Sequence, residues 1–275
     1  MDCDGVLWRG KTIIPGVVET LNLLRNMGKR LIFVTNNSTK TRALIQKKIQ
    51  SFGIQCNQEE IFGSAYAAAV YLKSINFNKH VYVVGEESIA SEMKDLGIKY
   101  RGVSEHAYIP KSVDEVADSL NPDPEVEAVV CGLDSRVSYP KIAYAHYYLT
   151  KNKNCVFLAT NTDSYLPVHG KTLPGAGSIV SSLRTSTGRE PIVLGKPAIT
   201  LMELIIKSTG INPSRTCMVG DRLDTDILFG NEGGLKYTLL VLTGVVHEWS
   251  QDQTIIPSHI IPSLGDIASF FKAHL

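Results

Sequence analysis

The stretch RLIFVTNNSTKTRALIQKKIQSF, residues 30–52, begins with an unbroken apolar run, turns polar at Asn36 and Asn37, and then resumes with apolar residues at helical spacing. It predicts a strand over 30–37 followed by a helix over 39–52. An apolar strand without alternation belongs in a sheet covered on both faces.

The same unit recurs along the chain. Further β-rich runs are HVYVVG (80–85), VEAVVCG (126–132), CVFLATN (155–161), TCMVGD (216–221) and YTLLVLTG (237–244), with amphipathic stretches at 17–28, 140–150 and 198–209. Alternation of this kind predicts an α/β fold with a doubly wound, mainly parallel sheet. Ligands bind at the carboxyl ends of such strands. The residues standing there are Thr35, Asn36 and Asn37 after one run, Asn161, Thr162 and Asp163 after another, and Asp221 after a third.

Composition narrows the function classes. The 275 residues are 44% hydrophobic and 20% charged, as in globular proteins. The net charge of +1 comes without a basic patch, so neither nucleic acid nor an anionic membrane is an expected partner. No apolar run reaches the ~20 residues of a membrane span, and the expected location is cytoplasmic. Five scattered cysteines form no C-x-x-C pair, against a disulfide framework or a structural zinc site. Neither H-E-x-x-H nor G-x-S-x-G occurs. GAGSIV (175–180) lacks the third glycine of a dinucleotide loop and follows no strand.

Three polar segments remain: DCDGVLW (2–8), VTNNSTKTR (34–42), and GKP (195–197) with GDRLDTD (220–226). Singly, each has a plainer reading as an Asp turn, a helix cap or a loop with a solvated lysine. Together and in this order they resemble the four motifs of the haloacid dehalogenase superfamily of phosphatases, in its 4-nitrophenylphosphatase and phosphoglycolate phosphatase branch.

That resemblance implies a Mg²⁺-dependent phosphatase of small phosphomonoesters working through an aspartyl-phosphate. Such chemistry divides a very slow hydrolysis into two easier steps. Asp2 matches the nucleophile and Asp4 the general acid and base. Asp221, Asp2 and the backbone carbonyl of Asp4 match the metal ligands, with Asp226 supporting the metal's water shell. Lys196 matches the residue that neutralises the phosphoryl oxygens. Thr35, Asn36 and Asn37 match the phosphate-binding segment ahead of a helix starting near Thr39. Asp224 is an extra acid, read as a carboxylate in the first turn of a helix.

The resemblance also implies an inserted α/β cap, giving a core over 1–78 and 188–275 and a cap over 79–187. Within the cap, 159–178 is the expected specificity segment. Relatives acting on pyridoxal phosphate carry histidine where Leu166 stands, whereas phosphoglycolate phosphatases carry leucine. His169 reads as a solvated loop residue, and the aromatic stretch SYPKIAYAHYYL (138–149) as core or as a homodimer contact through the cap. Activity towards pyridoxal phosphate or phosphoproteins is the alternative within the family.

MDCDGVLW leaves a question, because the apolar strand that should carry Asp2 does not precede it. The expectation is an N-terminally truncated chain with a shortened first core strand and a gap in the sheet, and, were Met1 the true start, Asp2 on a frayed terminus. An impaired, phospholigand-binding homologue is the corresponding alternative function.

Overall fold

The computed structural model describes residues 1–168, 170–250 and 253–274, so His169 lies outside the described residues. The chain divides into two compact units. One comprises Met1–Thr35, Arg42–Gly63 and the chain from Lys196 onward, and the other Asn36–Thr41 with Ser64–Gly195. Residues 64–78 and 188–195 therefore fall with the second unit, where the sequence reading placed them in the core. Helix Ser64–Ser74 turns Ala65, Ala67, Ala68, Ala69 and Leu72 into buried surroundings, and strand Ile192–Val193 pairs with Val156–Ala159.

In the first unit, strand Phe33–Thr35 pairs in parallel with Ile61–Gly63. Cys217–Gly220, Tyr237–Val241 and His259–Ile261 form a parallel three-stranded sheet. Between these two sheets runs the start of the chain. The Met1 nitrogen donates to Ile32 O and the Met1 carbonyl accepts from Val34 N, both at 2.8 Å, while Asp2 N donates to Val219 O at 2.8 Å. Asp2 is thus held from both sides, and the expected fraying is not found.

Helices cover this sheet through short apolar stripes. Val17–Asn26 buries Val17, Thr20 and Leu21, and Arg42–Ser51 buries Ile45 and Ile49, the i, i+3 and i+4 spacing of one helix face. Val17, Leu21, Ile45 and Ile49 form one core cluster with Val6, Leu7, Phe33 and Ile61, each fully buried aliphatic side chain contributing roughly 1.5–3 kcal/mol. The second helix starts at Arg42 rather than near Thr39. Oδ1 of Asn37 accepts from both N (3.0 Å) and Oγ1 (2.7 Å) of Thr39, a side-chain turn that keeps the backbone out of the helix.

The second unit contains a parallel five-stranded sheet in the order Ile192–Val193, Val156–Ala159, Val126–Cys131, His80–Val84, Tyr100–Gly102. Helices Tyr139–Lys151 and Ala176–Thr187 bury Tyr144, Tyr148, Val180 and Leu183 in its core. The segment expected as a specificity loop contains an antiparallel hairpin, Tyr165–Val168 with Lys171–Pro174. Among the described residues, no helix is long and apolar enough to cross a membrane.

Candidate active site

The chain after Asp2 folds into a tight loop that the core holds from below. Cys3, Val6, Leu7 and Trp8 are buried, Leu7 N donates to Cys3 O and Gly5 N to Trp8 O, each at 2.8 Å. Gly5 lies at φ +82, and a Cβ there would stand 2.5 Å from Oδ2 of Asp221. Only glycine meets both requirements, the left-handed backbone and the close approach. The apolar residues of DCDGVLW therefore fix the backbone, and its acids are left for chemistry.

Asp221 follows strand Cys217–Gly220 and Asp226 sits in the helical turn Leu223–Ile227 just beyond it. Nζ of Lys196 donates to Oδ1 of Asp2 and to Oδ1 of Asp226, at 2.6 Å in each case. Oδ2 of Asp226 accepts from the amides of Asp221 and Arg222, both at 3.2 Å, so Asp226 is committed to holding its neighbours in place. Carboxylate oxygens of Asp2, Asp221 and Asp226 lie within 4.8 Å of one another, and all three residues are buried.

One lysine faces three buried carboxylates. Burial pushes Asp221 up to about 7, with the Asp226 charge adding to the rise. Burial likewise raises Asp2 well above the carboxylate range, although Lys196 pulls it back. Burial acts to lower Lys196, but Asp2 and Asp226 outweigh it and keep its ammonium charged. The excess of negative charge, presented entirely by oxygen donors, suits a hard divalent cation such as Mg²⁺. The donor set fits the ion that the sequence resemblance implies.

Asp4 stands apart from this cluster. It is exposed, and its Oδ1 accepts from Nε1 of Trp8 at 2.7 Å. Asp224 is also exposed, lies in the first turn of Leu223–Ile227 and pairs with Arg222 at 2.8 Å. Thr35 is buried at the end of its strand in the same unit as Asp2. Asn36, Asn37 and Leu166 belong to the second unit. There Nδ2 of Asn36 donates to both oxygens of Asp163, at 3.2 and 3.4 Å, exposed Asn37 turns its side chain to Thr39, and half-buried Leu166 pairs with Leu173.

Sequence reasoning missed the loop after strand Tyr237–Val241. Val245 N donates to Oδ2 of Asp221 at 2.7 Å, Oγ1 of Thr243 donates to Gly5 O at 2.6 Å, and Nε of Arg9 donates to Thr243 O. A Cβ on Gly244 would stand 1.8 Å from Oδ2 of Asp221. The available signal was position: YTLLVLTG was read as strand to its end, but pairing stops at Val241, so Thr243 and Gly244 stand where a carboxyl-end site is built.

Comparison with known proteins gives this geometry a context. Residues 1–99 match the model of the haloacid dehalogenase-like hydrolases, and residues 193–267 that of the HAD-hydrolase-like family. The chain is 44% identical over 273 residues to a 4-nitrophenylphosphatase of Schizosaccharomyces pombe, covering 97% of this chain and 91% of that one. It is 48% identical over 249 residues to the chloroplastic phosphoglycolate phosphatase 1A of Arabidopsis thaliana, covering 89% and 68%. Among solved structures, a p-nitrophenyl phosphatase from Archaeoglobus fulgidus superposes with a TM-score of 0.83 at 29% identity, covering 98% and 97%.

Proposed function

Since the chain belongs to the haloacid dehalogenase-like hydrolases, whose relatives named above are phosphoric monoester hydrolases, we propose that it hydrolyses small phosphomonoesters, phosphoglycolate-like acids among them, with Mg²⁺ and through a phosphorylated Asp2. The observation that carries this reading is Lys196 donating to both Asp2 and Asp226 at 2.6 Å beside Asp221, at the carboxyl ends of parallel strands.

In the first step a carboxylate oxygen of Asp2 bonds to phosphorus as the ester P–O bond breaks. The Asp4 carboxyl gives its proton to the departing oxygen. In the second step water attacks the phosphorus of the aspartyl-phosphate. Asp4, now ionised, takes the water's proton, and cleavage of the Asp2–phosphorus link releases inorganic phosphate and restores both acids. Lys196 orients the Asp2 carboxylate and offsets negative charge on the phosphoryl oxygens. Asp2, Asp221 and the Asp4 carbonyl would hold Mg²⁺, which supplies charge neutralisation and polarises the phosphoryl group.

The test is phosphate release from 4-nitrophenyl phosphate and from phosphoglycolate by the purified full chain, with and without Mg²⁺. Activity is expected with the metal, and Asp2→Asn should reduce it at least about 10³-fold, as loss of a covalent nucleophile does. Undiminished turnover by Asp2→Asn would sink the mechanism.

A further inference from the structure

Asp4 is the least supported member of the constellation: its side chain is 54% exposed on a turn. Free rotation of an exposed carboxylate would spread the proton donor over several directions, and general acid catalysis requires one. Its surroundings restrict it. Trp8 is 2% exposed, stacks on Phe52 with ring centroids 5.7 Å apart, and places Nε1 2.7 Å from Oδ1 of Asp4. From helix Arg42–Ser51, Nζ of Lys48 sits 4.0 Å from the centre of the Trp8 ring and 3.9 Å from the same Oδ1.

We propose that Trp8, with Lys48 seated on its ring, is the positioning residue for Asp4, an inference that rests on the phosphatase reading above. An indole N–H donates and never accepts, so it can fix one carboxyl oxygen without competing for the proton that Asp4 transfers. Oδ1 is the held oxygen, and Oδ2 carries the proton to and from the reacting oxygens. The buried ring supplies a rigid reference, which the neighbouring backbone of the turn shares through the Gly5–Trp8 hydrogen bond.

The experiment compares two substrates that need a proton donor to different degrees. A 4-nitrophenolate leaves with little protonation, whereas the alkoxide of an alkyl ester such as glycerol phosphate requires it. Trp8→Phe keeps the stacking surface and removes the N–H. On the full chain with Mg²⁺ it should lower kcat/KM about 10-fold for the alkyl ester and less than about 2-fold for 4-nitrophenyl phosphate, a fraction of the ~10²–10⁴ that a general acid supplies. In an Asp4→Asn background it should add nothing on either substrate, because two residues acting through one step are not additive.

Equal losses on both substrates, or a further loss in the Asp4→Asn background, would overturn the positioning role and leave the phosphatase reading standing. Failure of the parent chain to release phosphate from either ester would overturn that reading, and this inference with it. If thermal melts find Trp8→Phe unfolded, Lys48→Met carries the same comparison from a helix position about a third exposed. A loss selective for the alkyl ester supports the proposal, and no selective loss overturns it.

Discussion

Each unit of the molecule buries a lysine against aspartate, and the two arrangements differ in their charge balance. In the second unit, Nζ of Lys141 donates to Oδ2 of Asp134 at 2.6 Å, both side chains all but inaccessible, and Oδ1 of Asp134 accepts from Arg136 N at 2.9 Å. One cation meets one anion, and both carboxylate oxygens are engaged. In the first unit Lys196 makes equally short bonds, but to two carboxylates with a third close by. A balanced buried pair ties the loop before helix Tyr139–Lys151 to that helix, whereas an unbalanced cluster is set up to receive another cation. Bond length does not distinguish structure from function here; stoichiometry does.

Substituting the two lysines should break the comparison most forcefully. Lys141→Met leaves Asp134 buried and unpaired, which costs about 3–5 kcal/mol of stability, with turnover per folded molecule unchanged. Adding Asp134→Leu should recover most of that loss, since replacing both partners of a buried pair with apolar side chains is often neutral. Lys196→Met should instead lower kcat/KM about 10²–10³-fold, a kinetic loss that Lys141→Met does not share. Urea melts alongside steady-state kinetics separate the outcomes. A Lys141 variant that melts normally but turns over slowly would remove the distinction.

The same contrast explains how much could be read in advance. Asp2, Lys196, Asp221 and Asp226 were legible through the resemblance of their motifs to a known family; of the four, only Asp221 stands directly after a run read as a strand. The grip on Asp221 was not, because Val245 contributes only its backbone amide and Gly244 only its lack of a side chain. Neither leaves a chemical signature in a sequence. Helix Ser64–Ser74 was overlooked as the start of the second unit since alanines bury it on most faces, leaving little amphipathic pattern to mark its allegiance. The paired strands 165–168 and 171–174 were hidden by Pro167 and Pro174, which argue against a central strand but are tolerated in a two-stranded pairing.

A pH experiment sharpens the meaning of the unbalanced cluster. Asp221 has an ordinary value of 3.8 and is held at about 7 in the fold. Between those values the folded state binds more protons than the unfolded one. Stability is therefore fully present below about pH 4 and declines as pH rises through about 7, by at most about 1.4 kcal/mol per pH unit for each such proton. Asp2 adds to the decline in the same direction. In metal-free protein the melting temperature should fall across this window for these groups, and saturating Mg²⁺ should flatten the dependence, because the cation replaces the protons. A metal-free profile that rises from pH 5 to 7, with no response to Mg²⁺, would contradict the reading of the cluster as a cation site.

Two glycines allow a finer version of the comparison. A Cβ at Gly244 would stand 1.8 Å from Oδ2 and 2.3 Å from Cγ of Asp221, and one at Gly132 in the second unit would stand 2.6 Å from Oγ1 of Thr160 and 2.7 Å from Cδ1 of Ile89. Both sites are too tight for alanine, yet different groups must yield. At Gly132 the displaced groups belong to packing, so Gly132→Ala should cost about 1–3 kcal/mol of stability and leave the Mg²⁺ requirement unchanged. At Gly244 the displaced group is the carboxylate that Val245 N orients. Gly244→Ala should therefore raise the Mg²⁺ concentration for half-maximal activity about 10-fold, the range seen when groups orienting a metal ligand are lost. Titrating activity and, separately, heat of binding against Mg²⁺ reads this directly. Equal Mg²⁺ affinity in both variants would mean that the Asp221 carboxylate is fixed by something other than the loop that touches it.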